Sequence, residues 1–399
     1  MTDDRRLPAM PFARSSVLDV APLYRALQGE RPVTLVRTPV GDLAWLVPGY
    51  EDVRALLEDE RLGRSHPDPE RAPRFSGSAF ILGGPTGTPE TERADSARTR
   101  RVLARSFAPD RLHAMRPRVQ ALVDELLDGV AGGTPPADLH AELSLPLPVM
   151  VICEFLGVPA GDRPLFRTWA EESADLRDRQ RATAAFGALR EYMGGLIERK
   201  RERPAADLIS DLVAARDEGG PLGDPEIARL ATSLLLVGHE STVARIDFGI
   251  LYLLVNPDQV RALAGDPSLL AGAIEEILRI AVPGEGVVPR YASADIEVGG
   301  VTVRAGDLVL LGIGPANRDR GVYPDPDRFD IARRQAPHIA FGHGAHRCLG
   351  AGLARIELQA VFGTLFRRLP TLRLALPVER LPRRSHAAPG GLAALPVTW

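Results

Sequence analysis

Apolar side chains recur at three- and four-residue spacing through the middle of the chain, in RTRRVLARSF, LHAMRPRVQALVDELLDGV, FGALREYMGGLIERKRE and the long run PEIARLATSLLLVGHESTVARIDFGILYLLV. That period predicts successive helices over about 92–285, and LGAGLARIELQAVFGTLFRRL adds an amphipathic helix over about 349–369. Two stretches alternate with a period of two instead. PVTLVR and LAWLVP flank Gly41 and Asp42, and IEVGGVTVRAGDLVLLGI carries Gly299 and Gly300 between alternating segments, so each predicts a β-hairpin. The helix YEDVRALLEDERL follows the first, and the turn-rich DRGVYPDPDRFDIARRQAPH follows the second. Together these predict a mainly α (α+β) fold in a single domain over 1–399, with a helix-rich body and a smaller β-rich part from about 30–50, 290–312 and the C-terminal segment.

The most apolar stretch, LSLPLPVMVICEFLGVP, is interrupted by Pro146, Pro148 and Glu154. It therefore predicts a loop entering a buried helix rather than a membrane span, with Cys153 as a small core thiol. A chain of 399 residues, 45% hydrophobic and 25% charged, is long enough to bury a large core. Its net charge of −3 gives no global reason to expect nucleic acid or an anionic membrane as partner. The N-terminal MTDDRRLPAMPFARSS lacks the apolar core of a signal peptide, and two cysteines allow at most one disulfide, so a cytoplasmic protein is expected.

The second cysteine stands in a different setting, FGHGAHRCLG over Phe341 to Gly350. Zinc needs about four ligands, and His343, His346 and Cys348 have no further neighbour to complete the set. A catalytic thiol needs a base and an orienting partner, neither of which the sequence marks, and a phosphate loop needs a lysine that is missing here. A thiolate just before a helix starting near Leu349 fits better. The helix dipole, Arg347 and the N–H groups freed by Gly342, Gly344 and Gly350 all favour S⁻, which suits a single ligand to a large cofactor.

This decapeptide resembles the haem-thiolate signature of cytochrome P450, through Phe341, Gly342, Gly344, His346, Cys348 and Gly350. Two more motifs resemble the same family. AIEEILR supplies its Glu-x-x-Arg as Glu276 and Arg279, and DPDRFD supplies Arg328 as the third member of a buried ion-paired triad. Taken alone, Glu276 and Arg279 are an i, i+3 pair worth only about 0.2–0.5 kcal/mol. VGHEST resembles the stretch that crosses the distal face of the haem. There Val237 and Gly238 border the dioxygen groove, while Glu240 and Ser241, followed by Thr242, guide protons. Val237 replaces the usual Ala or Gly, and Ser241 replaces the usual Thr.

The resemblance implies a P450 fold with haem b between a long distal helix and the proximal Cys348 loop. His346, Arg290 and Arg100 are implied for the propionates, although Ser96 stands where a fourth residue, a His, is usual. Arg98, Arg101 and Arg105 are expected to face solvent; with Arg347 they are expected to receive an acidic ferredoxin, itself served by a ferredoxin reductase and NAD(P)H. The substrate pocket is expected at Phe75, Phe80, Ile81, Leu82, Val237, Val287 and Val288, with the C-terminal HAAPGGLA. The activity implied is a monooxygenase that uses O₂ to hydroxylate a largely apolar bacterial secondary metabolite, in a protein expected to be a monomer. Oxidative C–C or aryl coupling, as of a cyclic peptide, and a haem sensor without turnover are the alternatives.

Overall fold

The computed structural model describes all residues except 1–6, 31, 78–83, 175–177, 219, 221, 283, 335–336 and 385–390. It divides into two units, residues 1–96 with 275–348 and residues 97–274 with 349–399.

The first unit is built on a five-stranded sheet in the order Thr34–Arg37, Leu43–Val47, Leu308–Gly312, Val287–Ala292 and Leu62–Gly63. The expected first hairpin pairs Thr34 with Leu46 and Arg37 with Leu43, and Gly41 takes the turn at φ 99°. Leu43–Val47 then runs parallel to Leu308–Gly312, with Leu46 opposite Leu310. Both faces of the sheet are covered, so the Leu308–Gly312 strand is apolar throughout and buried throughout. One cluster holds Tyr24, Leu46, Val287 and Leu310; the other holds Val47, Tyr50, Val309 and Tyr323. The second hairpin forms at Gly299 and Gly300, at φ 55° and 76°, but as a separate two-stranded sheet of Ile296–Val298 and Val301–Val303. Successive positive φ values are what a two-residue turn requires to match strand twist.

The second unit is helical around the 32-residue helix Asp224–Val255. Glu226 accepts a hydrogen bond from the Gly223 N–H (3.0 Å) and so satisfies a donor at the helix start. Pro146 and Pro148, which seemed to mark a loop, instead lie in the first turn of the helix Pro146–Leu156, where a missing N–H costs little. Gly157 ends that helix at φ 82°. Cys153 is buried in it, and burial pushes its thiol up to about 12, an inert core thiol as expected. The C-terminal strand Pro396–Thr398 does not join the β-rich unit. It pairs with Ala137–Asp138 and Arg373–Leu374 in a three-stranded sheet of the helical unit, where Asp138 also accepts from the Leu395 N–H (2.7 Å). Among the described residues, no helix is long and apolar enough to cross a membrane.

Candidate active site

The Cys348 loop is shaped by its glycines. Gly342 and Gly344 have φ 71° and 66°, and a Cβ on Gly344 would stand 2.8 Å from the Leu57 carbonyl oxygen, so a side chain there would collide with backbone. The Cys348 N–H donates to the Phe341 carbonyl (2.8 Å), closing the loop, and the helix Ala351–Arg368 begins just after Gly350. Cys348 is exposed, in contrast to Cys153. His343 is engaged by Glu58 (Nε2 to Oε1, 2.7 Å). Among the described residues no group of three or more His, Cys, Asp or Glu side chains converges as a metal-binding set. The donor at this loop is therefore one sulfur, the arrangement suited to a large cofactor that brings its own remaining ligands.

Two residues before Cys348, His346 reaches a polar cluster that the sequence reading only partly anticipated. Its Nδ1 lies 3.3 Å from Arg64 Nη2, and its Nε2 lies 3.7 Å from Glu92 Oε1. Glu92 is held by the backbone N–H groups of Arg64 (2.8 Å) and Ser65 (2.9 Å) and by the Ser65 hydroxyl. Burial alone would raise its carboxyl, but those hydrogen bonds outweigh burial and leave it below the usual carboxylate range. The same carboxylate explains Gly63, since a Cβ there would come within 2.6 Å of Glu92 Oε2. Arg290 completes the cluster from its strand. Burial first, and then the Arg64 charge, bring its guanidinium down to about 10, with Glu92 partly offsetting both.

Ser96 and Arg100 both lie on the helix Glu92–Leu103, and each is half-buried. Arg98, expected on the solvent face, is instead half-buried and paired with Glu226 (3.2 Å). That pairing removes it from any free basic surface, whereas Arg101 and Arg105 are exposed as expected.

On the long helix, Val237 is 73% exposed and Ser241 is also exposed, although most of the surrounding helix is buried. Residues four apart share a helix face, so these two form one open stripe. The Ser241 hydroxyl donates to the Val237 carbonyl (3.4 Å) and Thr242 to the Gly238 carbonyl (3.0 Å), so each alcohol is tethered to the preceding turn. A Cβ on Gly238 would meet only Ile152 at 3.9 Å, so glycine is not sterically demanded there. Glu240 is buried and held by both terminal nitrogens of Arg384 at 3.0–3.2 Å. Next to Arg384, Arg383 bridges Leu392, and the Arg384 N–H donates to the Gly391 carbonyl (2.9 Å).

Glu276 and Arg279 form the expected buried pair, with Arg279 Nε and Nη2 on the two carboxylate oxygens at 2.7 and 2.8 Å. The third side chain, however, is Arg333 rather than Arg328. Arg333 Nε donates to Glu276 (3.1 Å), while Arg328 is exposed and contributes its backbone carbonyl to Arg333 (2.8 Å). The turn through DPDRFD presents Arg328 outward, and the chain returns five residues later to bring Arg333 inward. Of the expected pocket residues, Val287 is buried within one core cluster, Phe75 packs on that cluster, and Val288 packs on the other. Phe80, Ile81 and Leu82 lie outside the described residues.

Comparison with known proteins agrees along the whole chain. The family described as Cytochrome P450 matches residues 267–380. The chain is 44% identical to pentalenolactone synthase of Streptomyces exfoliatus over 398 residues, covering 98% of this chain and 99% of that one. It is 40% identical to the mycinamicin IV hydroxylase/epoxidase of Micromonospora griseorubida, with 98% of each covered. Among solved structures, the substrate-free pimaricin epoxidase PimD superposes with a TM-score of 0.89 at 42% identity, over 99% of this chain and 100% of that one. SgvP, involved in the tailoring step of griseoviridin, superposes with a TM-score of 0.90 at 37% identity, over 98% and 100%.

Proposed function

The chain belongs to the cytochrome P450 family, and from that premise we propose that it is a haem-thiolate monooxygenase, holding haem b, that hydroxylates a largely apolar secondary metabolite in a bacterium. The observation that carries the reading is the Cys348 sulfur, exposed on a loop closed by its own N–H and followed at once by a helix. The open stripe of Val237, 73% exposed, and Ser241 on a mostly buried helix also leaves room for a large planar cofactor. Arg290 and His346 fit the cofactor's carboxylates.

When bound, the haem supplies the reductive activation of O₂, helped by electron donation from its thiolate ligand. The protein's own residues do the rest. Cys348 ligates, Phe341, Gly342 and Gly350 shape its loop, and His346, Arg290 and Arg100 hold the propionates. Ser241 and Thr242 present hydroxyls to a proton path, and Arg384 holds the Glu240 carboxyl group in place at its side. Of the pocket candidates, Val237 is assigned to face the substrate, whereas residues 386–390 of HAAPGGLA lie outside the described residues. The overall reaction consumes O₂, two electrons and two protons, and returns the hydroxylated product and water. We assign the electrons to a ferredoxin with its reductase and NAD(P)H, approaching the side where Arg101 and Arg105 are exposed. The protein acts as a single-domain monomer over 1–399 in the cytoplasm.

Reduced protein under carbon monoxide is expected to show the red-shifted Soret band of thiolate ligation, and binding-shift screening then identifies the substrate. A colourless purified protein would overturn the reading. With that substrate, Ser241→Ala is expected to raise the peroxide released per product several-fold, while Ser241→Thr stays near the parent. Unchanged ratios in both variants would remove Ser241 from the proton path. Oxidative coupling is the second reading, favoured by the bulk of Val237 beside the open stripe. Turnover under ¹⁸O₂ separates the two, since only hydroxylation leaves the label in the product.

A further inference from the structure

Arg64 is the residue that the haem reading leaves without a task. It follows directly on the strand Leu62–Gly63, which pairs antiparallel with Val287–Ala292 through Leu62 opposite Ala292 and Gly63 opposite Tyr291. Continued by one residue, that register sets Arg64 across from Arg290. Like charges directly opposite on neighbouring strands are unfavourable unless an anion is shared between them. His346 lies beside them: its Nδ1 accepts from Arg64 Nη2 (3.3 Å), which leaves Nε2 as the ring nitrogen able to donate.

Among the described residues Glu92 is a carboxylate beside this group, and its single negative charge does not balance two guanidiniums. Its oxygens are occupied by the N–H groups of Arg64 and Ser65 and by the Ser65 hydroxyl. The cationic atoms stand further off, Arg64 Nε at 4.0 Å and His346 Nε2 at 3.7 Å. Glu92 therefore anchors the turn that carries Arg64, and the outer end of that guanidinium, with Nη2 beside His346 Nδ1, keeps donor capacity for a further acceptor. The Arg64 side chain is about half exposed (49%), so the acceptor can arrive from outside the protein core. A guanidinium presents a planar fork of donors that matches a carboxylate.

We propose that Arg64 is a further cofactor-binding residue, which together with Arg290 and His346 receives a haem propionate and compensates for Ser96, where the family's usual His is missing. The proposal rests on the haem reading above. It predicts that Arg64 contributes both to haem retention and to the charge balance at the cofactor.

The test follows transfer of ferric haem from the holoenzyme to excess apomyoglobin, together with the midpoint potential, for the parent, Arg64→Gln and Arg64→Lys. Arg61→Gln serves as a control, because Arg61 is an exposed arginine of the same segment that is paired with Asp59. Arg64→Gln is expected to lose haem about tenfold faster, in keeping with the loss of a charge-assisted hydrogen bond. Its midpoint potential is expected to fall, because removing a nearby cation favours the more positive ferric state. Arg64→Lys should recover part of both, and Arg61→Gln should match the parent. A parent-like transfer rate and potential in Arg64→Gln, with its reduced carbon-monoxide band intact, would overturn the assignment while leaving the haem reading in place. Faster haem loss with an unchanged potential would also overturn it, by reducing Arg64 to a structural fastening. If even the parent lacks the thiolate band, the haem reading fails and this assignment fails with it.

Discussion

Replacing Cys348 by His is expected to abolish the red-shifted carbon-monoxide Soret band, leaving that of imidazole-ligated haem, and to reduce monooxygenase turnover by more than about 100-fold. The magnitude follows from position. Removing an outer partner of a metal ligand costs about 10- to 100-fold, and here the ligand itself is exchanged, with loss of the anionic sulfur that donates electron density to the iron. No other thiol can substitute. Cys153, the other of the two cysteines, is buried in the helix Pro146–Leu156, and burial holds its thiol at about 12, so it stays protonated at working pH. A Cys348→His protein that kept the thiolate band would contradict both the ligand assignment and that reading of Cys153. Spectra of the reduced variant with carbon monoxide, alongside turnover, check both.

Glu276→Gln is expected to be the most destabilising single change among the buried polar groups. Glu276 accepts from Arg279 Nε (2.7 Å), Arg279 Nη2 (2.8 Å), Arg333 Nε (3.1 Å) and the Asp330 N–H (3.0 Å). The side chains of Arg279 and Arg333 are only 3% and 8% exposed, so loss of the carboxylate leaves two guanidiniums desolvated without a counter-charge. Breaking a buried pair in this way costs about 3–5 kcal/mol. Urea unfolding of the variant should show a loss of that order. The companion measurements separate the two arginines: Arg333→Ala should cost a comparable amount, whereas Arg328→Ala should stay within about 0.5 kcal/mol, as for an exposed surface change. Equal losses at the two positions would invalidate the assignment of Arg333.

The Arg328 case illustrates what a sequence can and cannot disclose. The Cys348 loop was legible because its chemistry is local: three glycines, a thiol and a helix start lie within ten residues. The hairpins at Gly41 and Gly299 were legible for the same reason, as was the i, i+3 pair of Glu276 and Arg279. Arg333 was not, because DPDRFD marks the turn while the backbone path beyond it decides which guanidinium enters. Glu92 and Arg64 are 28 residues apart, and Glu240 and Arg384 are 144 apart. No periodicity connects such residues; a charged residue without a local partner offers the only hint. Glu240 did carry that hint, as an acid among apolar neighbours, but nothing identified its partner. Val287, Val288 and Phe75 show the reverse problem. Apolar residues near a site look alike in sequence whether they face a ligand or a core, and these three pack on the core clusters.

The ion pair between Arg384 and Glu240 also constrains how this enzyme can be re-engineered. Segment grafting treats the C-terminal stretch as an interchangeable cassette, to be randomised or replaced to admit a new substrate. Here the cassette contains the counter-ion of an acid on the long helix, and that acid is buried. A graft lacking arginine at position 384 would leave that buried acid without its ion-pair partner, and poor coupling in such a chimera would be misread as poor substrate fit. Libraries built on this scaffold should therefore hold Arg384 fixed, or vary Glu240 with it.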